Sequence, residues 1–115
     1  MTAAAELLRE HQVATERRLA LLDAEIGELR RDRAADSADD EHDPEGVTLS
    51  AEWSRLEGLR AAAASDLVEL DAAEARVAAG TYGVCIDCGR AIPAGRLEAR
   101  PTAVRCVDCA AKALR

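Results

Sequence analysis

Apolar residues recur along this chain with a helical period in two long stretches. Met1, Ala5, Leu8, Gln12, Thr15, Leu19, Leu22, Ile26, Leu29 and Arg33 follow alternating steps of four and three. That is the a/d seam of a coiled coil, whose side chains pack into holes on a facing helix. The seam is most apolar from Leu19 to Leu29 and weakens around Gln12 and Thr15. Residues 3–33 contain no proline and only Gly27, so nothing interrupts a helix there. The pattern resumes over residues 50–79 as Leu49, Trp53, Leu56, Arg60, Ala63, Leu67, Leu70, Glu74 and Val77, with Leu59 broadening the stripe beside Leu56. Gly80 follows as a natural left-handed helix end. Two helices of similar length, each ~45 Å at 1.5 Å per residue, joined by a short connection, predict an antiparallel hairpin. Pairing the seams supplies the burial that offsets the cost of nucleating each helix. The rival arrangement is a pair of helices that use the same seams to bind another chain.

Periodicity stops between residues 34 and 47, where Asp, Ser, Pro and Gly favour turns and helix starts. Asp43-Pro44 suits a helix N-cap followed by the first helical position, with Thr48 and Ser50 as rival caps. This tip carries Asp36, Asp39, Asp40, Glu41, Asp43 and Glu45, six carboxylates within ten residues. Such a run is either a solvated turn or a charged contact point. It does not match a calcium loop, and a hairpin tip has no cleft to separate the pKa values of a catalytic acid/base pair.

Composition sharpens this picture. Phe is absent, Trp53 and Tyr82 are single, and Ala dominates the 49% hydrophobic content, so the apolar residues must line helices rather than fill a broad core. No run of eighteen apolar residues exists, and no membrane span is expected. Residues 1–30 are too charged for a signal peptide, which predicts a cytoplasmic, reduced chain. The net charge of −7 is unevenly placed: residues 1–79 hold 9 basic and 19 acidic side chains, whereas residues 80–115 hold 6 basic and 3 acidic. An acidic hairpin cannot gain affinity from phosphate contacts, so no direct DNA binding is expected.

The only four cysteines form Cys85-Ile86-Asp87-Cys88 and, after seventeen intervening residues, Cys106-Val107-Asp108-Cys109. Two C-x2-C pairs at this spacing point to a four-thiolate zinc site, because each turn supplies two corners of a tetrahedron. A single iron, disulfides and a redox pair are the alternatives, and zinc, one ion per chain, is the expectation. Val84, Ile86 and Ile92 are expected to cover one side of the metal, and Leu97 and Val104 the other. Tyr82 is expected to pack on this module with its hydroxyl outward, and Ala110–Arg115 to form a short terminal helix beginning in the second knuckle. The fold class is thus mainly α: an antiparallel two-helix coiled-coil hairpin (residues 1–79, acidic tip at 34–47), then a four-Cys zinc module with a short C-terminal helix (residues 80–115). His42 is read as solvated in the tip and His11 as a helix-surface residue. No phosphate loop, Ser-His-Asp set or H-E-x-x-H motif is present, so no enzyme is expected.

The hairpin, the acidic tip and the run Tyr82-Gly83-x-Cys85-x-x-Cys88-Gly89, Ile92-Pro93, Arg96-Leu97-Glu98-Ala99-Arg100-Pro101 and Cys106-x-x-Cys109 resemble the DksA/TraR family of bacterial transcription regulators. The likeness is dense over residues 80–109 and looser through the hairpin. The short connection between the helices favours an intramolecular hairpin and hence a monomer, and the likeness implies a protein that binds RNA polymerase rather than DNA, inserts the hairpin into the secondary channel and modulates initiation. It further implies tip contacts near the polymerase active centre through Asp39, Asp40 and Asp43. Arg96 and Arg100 are implied as rim contacts or as partners within the module. The family tip commonly reads D-x-x-D-x-A; here Asp40-x-x-Asp43 is followed by Glu45 where that alanine would stand. At places where ppGpp-responsive relatives carry basic residues this chain has Glu69 and Ala110, keeping Arg100, so ppGpp synergy is expected to be weak or absent. Two other classes compete: a structural adaptor pairing its seam with another helix, and a nucleic-acid-binding zinc ribbon, which lacks an aromatic stacking platform.

Overall fold

The computed structural model describes residues 3–36 and 44–114, and the side chains of all of these except 35, 36 and 44–48. Among the described residues four helices occur in the order α1 (Ala3–Asp36), α2 (Pro44–Ala79), α3 (Ala94–Ala99) and α4 (Val107–Ala113). Among the described residues the extended pairing is confined to one isolated antiparallel bridge, Val84 with Ala91. The mainly helical class is therefore as the periodicity predicts. No helix among the described residues is long and apolar enough to cross a membrane.

Both long helices extend further than the seam alone indicates. α1 continues past Arg33 through Ala34 and Ala35, residues with the highest helix propensity. α2 begins at Pro44, whose fixed φ suits a first helical position, so Thr48 and Ser50 lie inside the helix rather than capping it. Asp43, the expected cap, lies outside the described residues, as does His42.

The chain forms two compact units, Ala14–Leu67 and Met1–Val13 with Val68–Arg115. In the first, Leu22, Ile26, Leu29, Leu56 and Ala63 form a buried cluster, with Leu19, Leu49 and Trp53 packed against it. These are the seam positions, and burying such side chains is the main stabilising contribution available to an alanine-rich pair of helices. Arg18 pairs with Asp66, Asp23 with Arg60, and Arg33 donates to the Ser50 hydroxyl. Positions rise along α1 as they fall along α2, so the helices run antiparallel. Asp23 raises the Arg60 pKa through a hydrogen bond and its charge. These pairs are exposed, and their role is to fix register more than to add stability. Arg30 lies over the Trp53 ring at 5.2 Å. Leu59 is 44% exposed, so it stands beside the seam rather than in it.

In the second unit the ends of the same helices meet. Leu8, Leu70 and Ala73 are buried, and Gln12 donates to Asp71. Gly80 ends α2 with φ +79°, and Thr81 returns its amide to the Arg76 carbonyl. That left-handed turn directs the chain into the cysteine module.

Candidate metal centre

The first knuckle is shaped by a short backbone ladder. Ile92 donates to the Gly83 carbonyl at 2.7 Å and Cys85 to the Arg90 carbonyl at 2.8 Å. Between them Gly89 adopts φ +73° and returns its amide to the Cys85 carbonyl at 3.0 Å. A side chain with a Cβ would strain that turn, which explains a glycine straight after Cys88. The second knuckle is the start of α4: Cys106 sits at the N-cap and Ala110 donates to its carbonyl at 2.9 Å. Ile86 joins the two halves by donating to the Val104 carbonyl at 2.9 Å.

This arrangement brings all four sulfurs within 4.8 Å of one another. Cys88 and Cys106 stand 3.9 Å apart. A tetrahedral zinc with Zn–S bonds of ~2.3 Å requires sulfur separations of ~3.8 Å. The donor set fits that ion in number, chemistry and spacing, and all four cysteines are free. Cys85 is buried, Cys106 and Cys109 half-buried and Cys88 exposed.

Electrostatics favour a thiolate at Cys85 and a thiol at Cys109. Backbone amides of Cys88, Cys106 and Asp87 point at the Cys85 sulfur and bring its pKa down to about 6, against the opposing effect of burial. The Cys109 thiol shares its proton with Cys106 first and with Cys85 and Cys88 as well; with burial this pushes it up to about 12. Several anionic sulfurs this close repel one another unless a cation neutralises them.

The surroundings differ from expectation in three respects. Tyr82 does not point its hydroxyl outward; it donates to the Pro101 carbonyl at 2.7 Å, and burial raises its pKa. A half-buried phenol needs a partner, and the buried proline offers a carbonyl. Val84 and Ile86 are exposed rather than covering the metal side, because the knuckle turn directs them outward, whereas Ile92 is buried. A third short helix, α3, occupies Ala94–Ala99; it starts after Pro93, whose carbonyl accepts from Arg96 and Leu97.

Arg96 is half-buried and donates through Nε to the Arg105 carbonyl at 2.7 Å, an attachment within the module. Arg100 is exposed, on a shallow cleft with Glu69, Arg76, Arg96, Arg105 and Ala110. Thr102 donates to Glu69 at 3.4 Å, and Arg76 donates to the Thr102 carbonyl at 3.4 Å. Glu69, Arg100 and Ala110 thus line one cleft. Asp39, Asp40 and Asp43 lie outside the described residues. An ion pair between Arg105 and Asp87 at 2.7 Å is new relative to the sequence reading; its sequence signal is opposite charges immediately before Cys106 and Cys88.

Residues 80–113 match the family model described as the prokaryotic dksA/traR C4-type zinc finger. No curated protein matches the chain. Among solved structures, transcription factor DksA2 from Pseudomonas aeruginosa is similar at a TM-score of 0.80 and 23% identity, covering 95% of this chain and 78% of that one. The DnaK suppressor protein from Agrobacterium tumefaciens C58 is similar at a TM-score of 0.56 and 33% identity, covering 96% of this chain and 90% of that one. With its four-thiolate module matched by the family's zinc finger, and a third of its residues shared with a relative over nearly the full length of both, the chain belongs to the DksA/TraR family.

Proposed function

We propose that this protein is a transcription regulator that binds RNA polymerase directly, inserts its hairpin into the secondary channel and modulates initiation without binding DNA. The observation that carries this reading is an antiparallel pair of helices, 34 and 36 residues long, joined by a segment rich in carboxylates. The similarity to a solved transcription factor supports it further. In this account zinc, held by Cys85, Cys88, Cys106 and Cys109, gives the base of the hairpin a fixed shape. Asp39, Asp40 and Asp43 reach the vicinity of the polymerase magnesium site and bias it electrostatically, with no chemistry of their own. Arg100 contacts the rim, and Arg96 positions the module from within.

The adaptor reading requires seam residues open to a second helix. Instead Leu22, Ile26, Leu29, Leu56 and Ala63 are buried within one chain, which favours a monomer. For ppGpp, the cleft at Arg100 presents the Glu69 carboxylate, while Arg76, Arg96 and Arg105 donate to protein oxygens. Weak or absent synergy follows, and a ppGpp titration that tightened the polymerase complex would contradict it.

The test is the double substitution Asp40→Asn and Asp43→Asn, with polymerase binding and promoter-complex lifetime measured separately. Binding is expected to persist while the effect on lifetime falls severalfold. An unchanged effect on lifetime would remove the tip from the mechanism.

A further inference from the structure

A four-thiolate site opens when one knuckle swings away from the other, so whatever ties the knuckles together besides the metal controls its escape. Here the ties are the Ile86–Val104 backbone bond and the ion pair between Arg105 Nε and Asp87 Oδ2 at 2.7 Å. Asp87 immediately precedes Cys88 and Arg105 immediately precedes Cys106. Those are the two sulfurs that stand 3.9 Å apart, and Cys88 is the exposed one, where a competing ligand would first attack. Arg105 is itself held by Arg96, which donates to its carbonyl from α3 at 2.7 Å.

The geometry points to the Arg105–Asp87 pair as a clasp across the exposed Cys88–Cys106 edge that sets how slowly zinc leaves the site. The pair acts by holding the two turns in register, as contacts around a metal's ligands commonly do. Asp108 stands at the equivalent place in the second knuckle and forms no ion pair among the described residues. The fold thus supplies its own control. Zinc retention concerns the free chain and is independent of any polymerase partner.

The experiment follows transfer of zinc from the loaded full-length protein to an excess of a chromophoric chelator. Asp87→Asn and Arg105→Gln are each expected to accelerate release about two- to fivefold, the range of a partly exposed ion pair. The double variant should be no faster than either single one, because both remove the same contact. Arg105→Lys should retain most of the slow release, and Asp108→Asn should behave like the parent. Raising the salt concentration should accelerate release from the parent and leave Asp87→Asn nearly unaffected. Helicity and the tetrahedral cobalt spectrum of each loaded variant confirm that the site still forms. Release from Asp87→Asn at the rate of Asp108→Asn, effects that multiply in the double variant, or parent release insensitive to salt would each overturn the clasp. The salt measurement on the parent needs no variant to fold.

Discussion

Replacing Leu56 by alanine probes the hairpin where its two helices depend on each other most. Leu56 is 2% exposed and belongs to the cluster with Leu22, Ile26, Leu29 and Ala63. Truncating a buried leucine removes its transfer free energy and leaves a cavity, together about 2–5 kcal/mol. The seam lies between only two helices, so the gap can partly close or admit water. The lower part of that range, about 2–3 kcal/mol, is therefore expected. Leu59 is one turn further along α2 but 44% exposed, and its truncation should cost no more than about 0.5 kcal/mol. With a urea slope of about 1.5–2 kcal/mol per molar, Leu56→Ala should lower the midpoint by about 1–2 M. Leu59→Ala should leave it nearly in place. The assay is urea unfolding of the zinc-loaded protein followed by helical circular dichroism. Equal shifts for the two variants would refute the seam as the source of the hairpin's stability, because helix propensity alone treats them alike.

Further expectations concern the module. At pH 7 Cys85, at about 6, is already a thiolate, whereas Cys109, at about 12, keeps its proton until metal displaces it. Apparent zinc affinity should therefore rise at least about tenfold per pH unit between 6 and 8, and by about a further tenfold per unit below 6, where Cys85 also binds a proton. Competition against a chelator of known protonation measures this, and a flat profile contradicts it. Tyr82→Phe leaves the Pro101 carbonyl without its donor and should cost about 1 kcal/mol in thermal unfolding. Burial raises the Tyr82 pKa above 10.0, so its folded form resists ionisation. The parent should then lose stability as the pH rises above the ordinary tyrosine range, and Tyr82→Phe should lack that component.

Much of this architecture is legible in the sequence because two strong periodicities carry it. The four-three spacing places Leu8, Leu22, Ile26, Leu29, Leu56 and Leu70 at buried positions by one geometric rule, whereas the buried Ala73 lies one residue off the seam position the pattern gives to Glu74. The cysteine spacing likewise locates the metal cluster, because a tetrahedron constrains its ligands tightly. Where a residue's environment depends on neighbours remote in sequence, the pattern is silent. Val84 and Ile86 look like cover for the metal from their type, but the knuckle turn leaves them exposed. α3 is too short for any period to register, and it is held by Pro93 and the knuckles around it. The Tyr82–Pro101 and Arg105–Asp87 contacts span 19 and 18 residues of irregular chain, so only the folded module brings them together.

The central claim is that this hairpin enters the secondary channel of RNA polymerase. The most direct measurement is equilibrium binding of the zinc-loaded protein to purified polymerase, with an established channel-binding factor as competitor. The account predicts saturable binding, near one chain per enzyme, that the competitor displaces. Polymerase that retains the protein undisturbed by the competitor, or never binds it, would contradict the account.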